Sequence, residues 1–463
     1  MSRFSSHELE AWSGGRWEGD APDSVSGIVH DSRAVAAGDL FVAIRGPNFD
    51  GHAYVDEALA RGACAAMVET GWSTAVAGRP LLRVANPRSG LQGLAQAYRR
   101  KVNPRVVGVT GSAGKTSVKD LIASLLGTDG KVTATRGNWN NDLGLPLSML
   151  RMDADVTWAV FEVGTNHPGE IAALCDILEP DWGVLTNVGP VHIEFFGSMD
   201  AIVREKSALL EALPSDGLAF LDERGGYYDV LRSATEAEVV TVALDLQADY
   251  EIETQDTAIG DVSLCERASG DRFVFQPPAP GAHQLVNTAM AVAVARRAGL
   301  SWPQISEGLS QYRLPPMRWQ HDCVCGVCFI NDAYNANPLS MKAALSAFSE
   351  ELISGSKWLV LGDMLELGSC ARREHEALGA EAAKGPWAGI FTMGQFGAVI
   401  VDGARREGFD GERLVVCRSH DDIAKQLDVH VKSGDAVLLK GSRGMKLETV
   451  ILDFKLAREN AYD

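Results

Sequence analysis

The sequence predicts an α/β protein in three domains, and three observations carry that expectation. A chain of 463 residues is long for a single core, because domains run to roughly 150 residues each. Two proline-bearing joints interrupt it, "KVNPR" at 101–105 and "RLPPMRW" at 313–319. From Arg105 onward, buried-looking strand, glycine turn and amphipathic helix recur, the pattern of a parallel sheet built from strand–helix–strand units. The expected divisions are 1–104, 105–313 and 314–463.

Taken in order, residues 1–104 alternate short strands with Gly-rich turns and hold one helical stretch near Ala85–Lys101. Pro104 biases Asn103 away from helix, which makes a joint there. "RVVGV" at 105–109 is a β-branched run of the kind buried in a parallel sheet. After Thr116, apolar residues at Val118, Leu121, Ile122, Leu125 and Leu126 keep helical spacing. Two adjacent prolines at the second joint suit neither a helix interior nor a central strand. Beyond it, "WLVLGDM" (358–364), "GIFTMG" (389–394), "RLVVC" (413–417) and "AVLLKG" (436–441) read as strands separated by helices.

Composition narrows the function classes. No apolar run reaches the roughly 18–20 residues of a membrane span, and "MSRFSSHELEAWSGG" carries no apolar leader core. A cytoplasmic location is expected. A formal net charge of −18 argues against nucleic acid as a main partner, because phosphate backbones reward clustered Lys and Arg. A local basic loop can still hold a small anion against an acidic background. The cluster Cys323, Cys325 and Cys328 has no matching second set nearby, so reduced thiols on a strand are expected rather than structural zinc.

The chemistry is concentrated in "VTGSAGKTS" (109–117). It ends like a phosphate-binding loop, although Val109 stands where G-x-x-x-x-G-K-[ST] has its first glycine. Gly111, Ser112, Ala113, Gly114, Lys115, Thr116 and Ser117 fall between the strand and the helix, where free helix N–H groups face an anion. Lys115 would reach terminal phosphates and Thr116 would ligate Mg²⁺. Glu162 ends an apolar strand, and His192 follows another in "WGVLTNVGPVHIEFFGS"; ligands gather at such strand ends.

These stretches, with "HQLVNTAMAVAVA", "MRWQ", "NDAYNANPLSMKAAL" and "LLKGSRGMKLE", together resemble the ordered motif series of the Mur ligases. These are ATP-dependent, amide-forming enzymes of peptidoglycan precursor synthesis, and the shortened loop is the family's own form. "GNWNNDLGLPLSML" (137–150) and "LGDMLELG" resemble the branch that adds D-alanyl-D-alanine to the UDP-linked tripeptide. The resemblance implies a small α/β uridine-nucleotide-binding domain, a central P-loop ATPase-like parallel sheet and a C-terminal Rossmann-like domain. It implies ATP and Mg²⁺ as cofactors, UDP-MurNAc-tripeptide and D-Ala-D-Ala as substrates, and a monomer.

Residue by residue, the resemblance gives Lys115 and Thr116 to the phosphates and first metal, and Glu162 and His192 to the metal sites. Asn287 falls to adenine, Arg318 to the phosphates across domains, and Asp332 to the nucleotide-side loop of the third domain. Lys206 corresponds to a lysine that relatives carry as an N-carbamate; the alternative is an ion pair on a helix surface with Glu205 or Glu211. Asp363 through Glu366 are candidates for the incoming ammonium, Asn335 for substrate, and Ser442 or Arg443 for the dipeptide carboxylate. Ser32, Arg33, Asp50, Gly51 and His52 are candidate uridine diphosphate contacts. Thr165 stands where a small alanine is expected, and Ser207-Ala208 where Gly-Glu is more usual. Another Mur-type ligase or a folylpolyglutamate-synthase-like enzyme is the nearest rival; a nucleotide-driven switch would need no uridine domain.

Overall fold

The computed structural model describes residues 4–73, 78–254 and 261–460. The first joint behaves as its proline dictates. The helix Pro87–Val102 starts on an Asn86 cap with Pro87 in its first turn, and it ends at Asn103, whose φ of 50° breaks the helical path. This helix packs against a five-stranded sheet ordered 16–18, 81–84, 65–69, 39–42, 27–29, parallel except at its 16–18 edge.

The opposite side of that helix is fused to the middle of the chain. Leu91, Leu94, Ala95 and Tyr98 share one buried apolar cluster with Leu145, Phe161, Leu174 and Leu178. Buried Arg99 donates to the carbonyls of Leu178 and Glu179 and to Asp181. Apolar burial at about 25 cal/mol per Å² and a hydrogen-bonded buried guanidinium stabilise this junction.

The middle sheet has nine strands, in the order 271–275, 262–266, 250–253, 238–244, 218–222, 182–185, 105–110, 158–162, 132–134. It is parallel apart from the two strands at the 271–275 end. The strand Arg105–Thr110 lies between 182–185 and 158–162, with Val109 opposite both Glu162 and Val184. Continuous burial of 106–110 explains why this strand reads as an apolar run rather than an alternating one. Its C-terminal edge therefore brings the glycine loop, Glu162 and the Thr186–Asn187 turn together.

The last sheet runs 320–324, 327–331, 436–440, 357–361, 387–393, 414–417, with an antiparallel hairpin at one edge and parallel strands beyond. The four apolar runs of the sequence are its parallel strands 436–440, 357–361, 387–393 and 414–417, the last forming the edge opposite the hairpin. The expected cysteine strand is this hairpin. Cys323 and Cys328 are paired in register, all eight cysteines are free thiols, and among the described residues no metal-binding group of three or more His, Cys, Asp or Glu occurs. No helix among the described residues is long and apolar enough to cross a membrane.

Candidate active site

The loop's conformation follows from its glycines. Gly111 has φ of 149°, and a Cβ there would lie 1.9 Å from the Thr186 hydroxyl; Gly114 has φ of 82°, and its Cβ would lie 2.8 Å from Asn287 Oδ1. Both positions exclude a side chain, so the backbone itself lines the cavity. Neighbouring groups hold the loop in place. The Ala113 N–H donates to Asn187 Oδ1 at 2.9 Å, Ser112 Oγ donates to the Gly189 carbonyl at 3.0 Å, and Asn187 Nδ2 donates to the Ala113 carbonyl at 3.0 Å. Gly114 gives the helix Lys115–Leu126 no side-chain cap, which leaves its leading N–H groups and their positive dipole end to a ligand. Lys115 Nζ folds back on the Gly111 carbonyl at 2.8 Å. Burial pushes its pKa down, with Glu162 opposing and Arg318 adding to the shift.

Thr116 is the centre of the polar cluster. Its hydroxyl lies 2.8 Å from Glu162 Oε2 and receives Arg318 Nη2 at 3.1 Å, across the gap between the middle and last sheets. Glu162 is buried and is also bound by Asn140 Nδ2 at 2.8 Å. Arg318 stacks over the Tyr334 ring at 4.3 Å, and its Nε is buried without a partner. A planar cation left with an unused donor at the mouth of an anion loop suits a phosphate oxygen. The hydroxyl and carboxylate are hard oxygen donors, and two such ligands with room for phosphate and water match what magnesium takes.

Two further contacts join the sheets. His192, at φ of 50°, places Nδ1 against the Glu366 carboxylate, and Asn337 Nδ2 reaches the Ser112 carbonyl at 3.4 Å. Burial lowers the His192 pKa while Glu366 pulls it upward. With Nδ1–H held by Glu366, Nε2 is left as a free acceptor.

A cavity of about 840 Å³ covers this region. Ser112–Ser117, Glu162, His192, Asn287, Arg318, Asp332, Asn335, Ser442 and Arg443 all line it. Asp332 is paired with Lys440 at 2.5 Å, and Ser442 Oγ accepts from the Leu365 N–H at 2.9 Å. A second cavity of about 640 Å³ lies between the helices 87–102 and 170–178 and shares Asn141, Asp142, Gly164 and Glu170 with the first.

One expectation changes, one alternative falls, and one group of candidates lies elsewhere. Asp363 does not face the cavity: its buried carboxylate accepts the N–H groups of Gln395 and Phe396 at 2.7 and 3.0 Å. Glu366, three residues on and left-handed at φ of 61°, presents the acid instead. The Asp363→Ala variant is therefore expected to lose about 2–4 kcal/mol of stability, since two buried amides lose their acceptor. Thermal unfolding will show a lowered midpoint, while the KM for an amine substrate changes less than in Glu366→Gln.

Second, Lys206 is not on a helix surface. It is 2% exposed and forms no ion pair with Glu205 or Glu211, although the Glu205 charge opposes the loss of its proton. Glu205 is occupied, accepting from Gly169 N–H, Ile171 N–H and the Thr165 hydroxyl. Burial, and then the nearby Lys115 charge, drive the Lys206 pKa well below its ordinary range. Third, Ser32, Arg33, Asp50, Gly51 and His52 line neither cavity. Arg33 pairs with Asp31, and His52 bridges Asp50 and the Glu69 N–H.

Sequence reasoning did not single out Asn140, Asn187 or Tyr334. Asn140 lies inside the quoted "GNWNNDLG" run and Tyr334 inside "NDAYNANP", but which member of a motif points inward depends on backbone geometry that spacing does not express.

Three family models match the chain in order: "Mur ligase family, catalytic domain" over residues 24–99, "Mur ligase middle domain" over 109–295, and "Mur ligase, glutamate ligase domain" over 317–443. A UDP-N-acetylmuramoyl-tripeptide--D-alanyl-D-alanine ligase of Bacillus subtilis (strain 168) is 34% identical over 434 residues, covering 93% of this chain and 93% of the relative. A crystal structure of MurF from Acinetobacter baumannii superposes with a TM-score of 0.88 at 28% identity, over 98% of this chain and 99% of that one. MurF ligase from Thermotoga maritima in complex with ADP gives a TM-score of 0.81 at 28% identity, over 94% and 99%.

Proposed function

The chain belongs to the Mur ligase family, and on that premise we propose that it is an ATP-dependent, ADP-forming ligase that joins D-alanyl-D-alanine to UDP-MurNAc-tripeptide in peptidoglycan precursor synthesis. The observation that carries the reading is the meeting of Arg318 with Thr116 and Glu162, which places a third-domain cation over the phosphate loop of the middle domain.

The reaction activates a carboxylate and then makes an amide. The terminal carboxylate of the tripeptide attacks the γ-phosphorus of ATP and ADP leaves. The dipeptide amine adds to the resulting acyl carbon, phosphate departs, and the nitrogen gives up a proton. Two anions must approach each other, so the loop N–H groups, Lys115 and Arg318 neutralise charge as it moves. Lys115 needs only to swing from the Gly111 carbonyl to a phosphate oxygen. Asn287, beside Gly114, would border the base, and Asp332 the nucleotide-side loop. Thr116 and Glu162 would hold a magnesium ion, with His192 Nε2 and Lys206 serving a second; bound there, such ions withdraw charge from phosphate oxygens.

At the other end of the cavity, Glu366 offers an anion to the dipeptide ammonium, and Arg443 with Ser442 and Asn335 offers donors to its carboxylate. The second cavity leads from the reacting end toward the first domain, the course a long nucleotide-linked substrate would take. Its uridine diphosphate is assigned to the first domain, with exposed Arg33 beside Ser32 and the Asp50–His52 turn. Closure of the third domain, through Arg318–Thr116 and His192–Glu366, would exclude water from the acyl phosphate. The working form is proposed to be a cytoplasmic monomer.

Phosphate release from ATP–Mg²⁺ should require both UDP-MurNAc-tripeptide and D-Ala-D-Ala. Release indifferent to the dipeptide, or dependent on another amine, would overturn the assignment.

Lys206 is proposed to carry a carbamate. Burial lowers the pKa of this amine and so favours the neutral form, which is the form that adds CO₂; the product is an anion suited to a hard cation. Exposure to ¹³C-bicarbonate should give a carbamate carbon resonance that Lys206→Arg lacks. With no carbamate, the lowered folded pKa means the unfolded chain binds this proton more strongly. Stability should then rise with pH between that value and the ordinary 10.5. An unmodified lysine in active enzyme would reject the carbamate.

A further inference from the structure

The hairpin at the edge of the last sheet carries chemistry that the ligase reaction does not use. Its strands, Gln320–Val324 and Val327–Asn331, are joined by Cys325 and Gly326, both left-handed at φ of 49° and 80°. A two-residue turn of this kind makes Val324 and Val327 the closing hydrogen-bonded pair, so the next pair, Cys323 and Cys328, is the non-hydrogen-bonded one. The Cys328 N–H confirms this by donating away from Cys323, to the Asp435 carbonyl at 2.9 Å. In that kind of pair the Cα atoms stand about 4.5 Å apart, within the span a disulfide bridges. The register sets Cys323 opposite Cys328. His321 Nδ1 lies 3.7 Å from Cys328 Sγ.

We propose that Cys323 and Cys328 form a reversible cross-strand disulfide when the protein meets a peroxide, with Cys323 the thiol oxidised first.

The asymmetry of the pair supports that order. Cys323 is exposed and Cys328 is half-buried. Burial, then the neighbouring Cys323, pushes the Cys328 thiol up to about 11, so Cys328 remains a thiol while Cys323 meets the oxidant. Cys323 sulfur takes one oxygen from hydrogen peroxide, giving a sulfenic acid and one water. The Cys328 sulfur then attacks the Cys323 sulfur; its S–H proton passes to the departing hydroxide, with the His321 imidazole within reach as a relay, and a second water leaves. The two thiols together lose two protons and two electrons to one peroxide. A thiol reductant reverses the bond by exchange. Cys325, in the turn, has no opposite partner, and the absence of a metal-binding group among the described residues leaves oxidation as the chemistry of this cluster.

The test uses the full chain. Purified protein is treated with hydrogen peroxide, alkylated, and mapped by peptide mass spectrometry, with total zinc measured beforehand. The expected result is a Cys323–Cys328 link that forms at least about tenfold faster than oxidation of buried Cys175 and Cys417 and disappears on reduction. Cys328→Ser should instead trap a sulfenic acid on Cys323, reactive to a 1,3-dione, while Cys325→Ser should keep the link. A link through Cys325, equal oxidation of all the cysteines, a sulfenic acid that appears on Cys328 first, or stoichiometric zinc that protects all three thiols would overturn the proposal.

Discussion

Replacing Lys115 with methionine is expected to lower ligase turnover by roughly a hundredfold to a thousandfold, the loss that follows removal of one preorganised charge donor in a closed site. Methionine keeps most of the stem's volume, and the loop's conformation depends on Gly111, Gly114 and the Asn187 bonds rather than on the ammonium. Folding should therefore survive. Burial lowers the Lys115 pKa, so the folded chain holds this charge at a cost. That cost is complete at low pH and vanishes as pH rises through the ordinary lysine range. At neutral pH the variant's thermal midpoint should then match or exceed that of the parent. Steady-state phosphate release and differential scanning calorimetry together check both halves; a large loss of stability at neutral pH would count against the placement of the charge.

The second large effect is expected at Arg318. The Arg318→Ala variant should lose about a hundredfold in turnover while binding the UDP-linked substrate as the parent does, since the second cavity, the one toward the first domain, does not involve this residue. The lost contacts are those to Thr116 and to the Tyr334 ring, which connect the third domain to the phosphate loop. Arg318→Lys restores the charge without the planar fork, so partial recovery is expected. Titration calorimetry with the UDP-substrate, paired with turnover, separates the two contributions. Normal turnover in Arg318→Ala would remove the cross-domain grip from the mechanism.

The legibility of this molecule differs from element to element. The helix ending at Asn103 was readable because Pro104 acts locally on the residue before it. The strand 105–110 and the helix after it were readable from burial period alone. The fusion of the first domain to the middle one was not, because Arg99 reaches carbonyls roughly eighty residues away in sequence.

The candidate site divides along the same line. Local backbone chemistry, in the glycines, the Lys115–Thr116 pair and the strand-end Glu162, is written in short contiguous stretches, and the sequence by itself determined those residues and the chain order of the three larger sheets. Which acid lines the large cavity was decided by tertiary structure. Asp363 and Glu366 are three residues apart in one motif, yet one carboxylate is consumed by the Gln395 and Phe396 amides while the other, on a left-handed residue, turns out to His192. The same holds for Lys206. A lysine on a helix reads as solvated until packing of its face removes water and Glu205 proves to be bound elsewhere. Local sequence sets backbone path over a few residues. The direction and ionisation of a side chain depend on what distant segments place around it, and only the assembled fold supplies that.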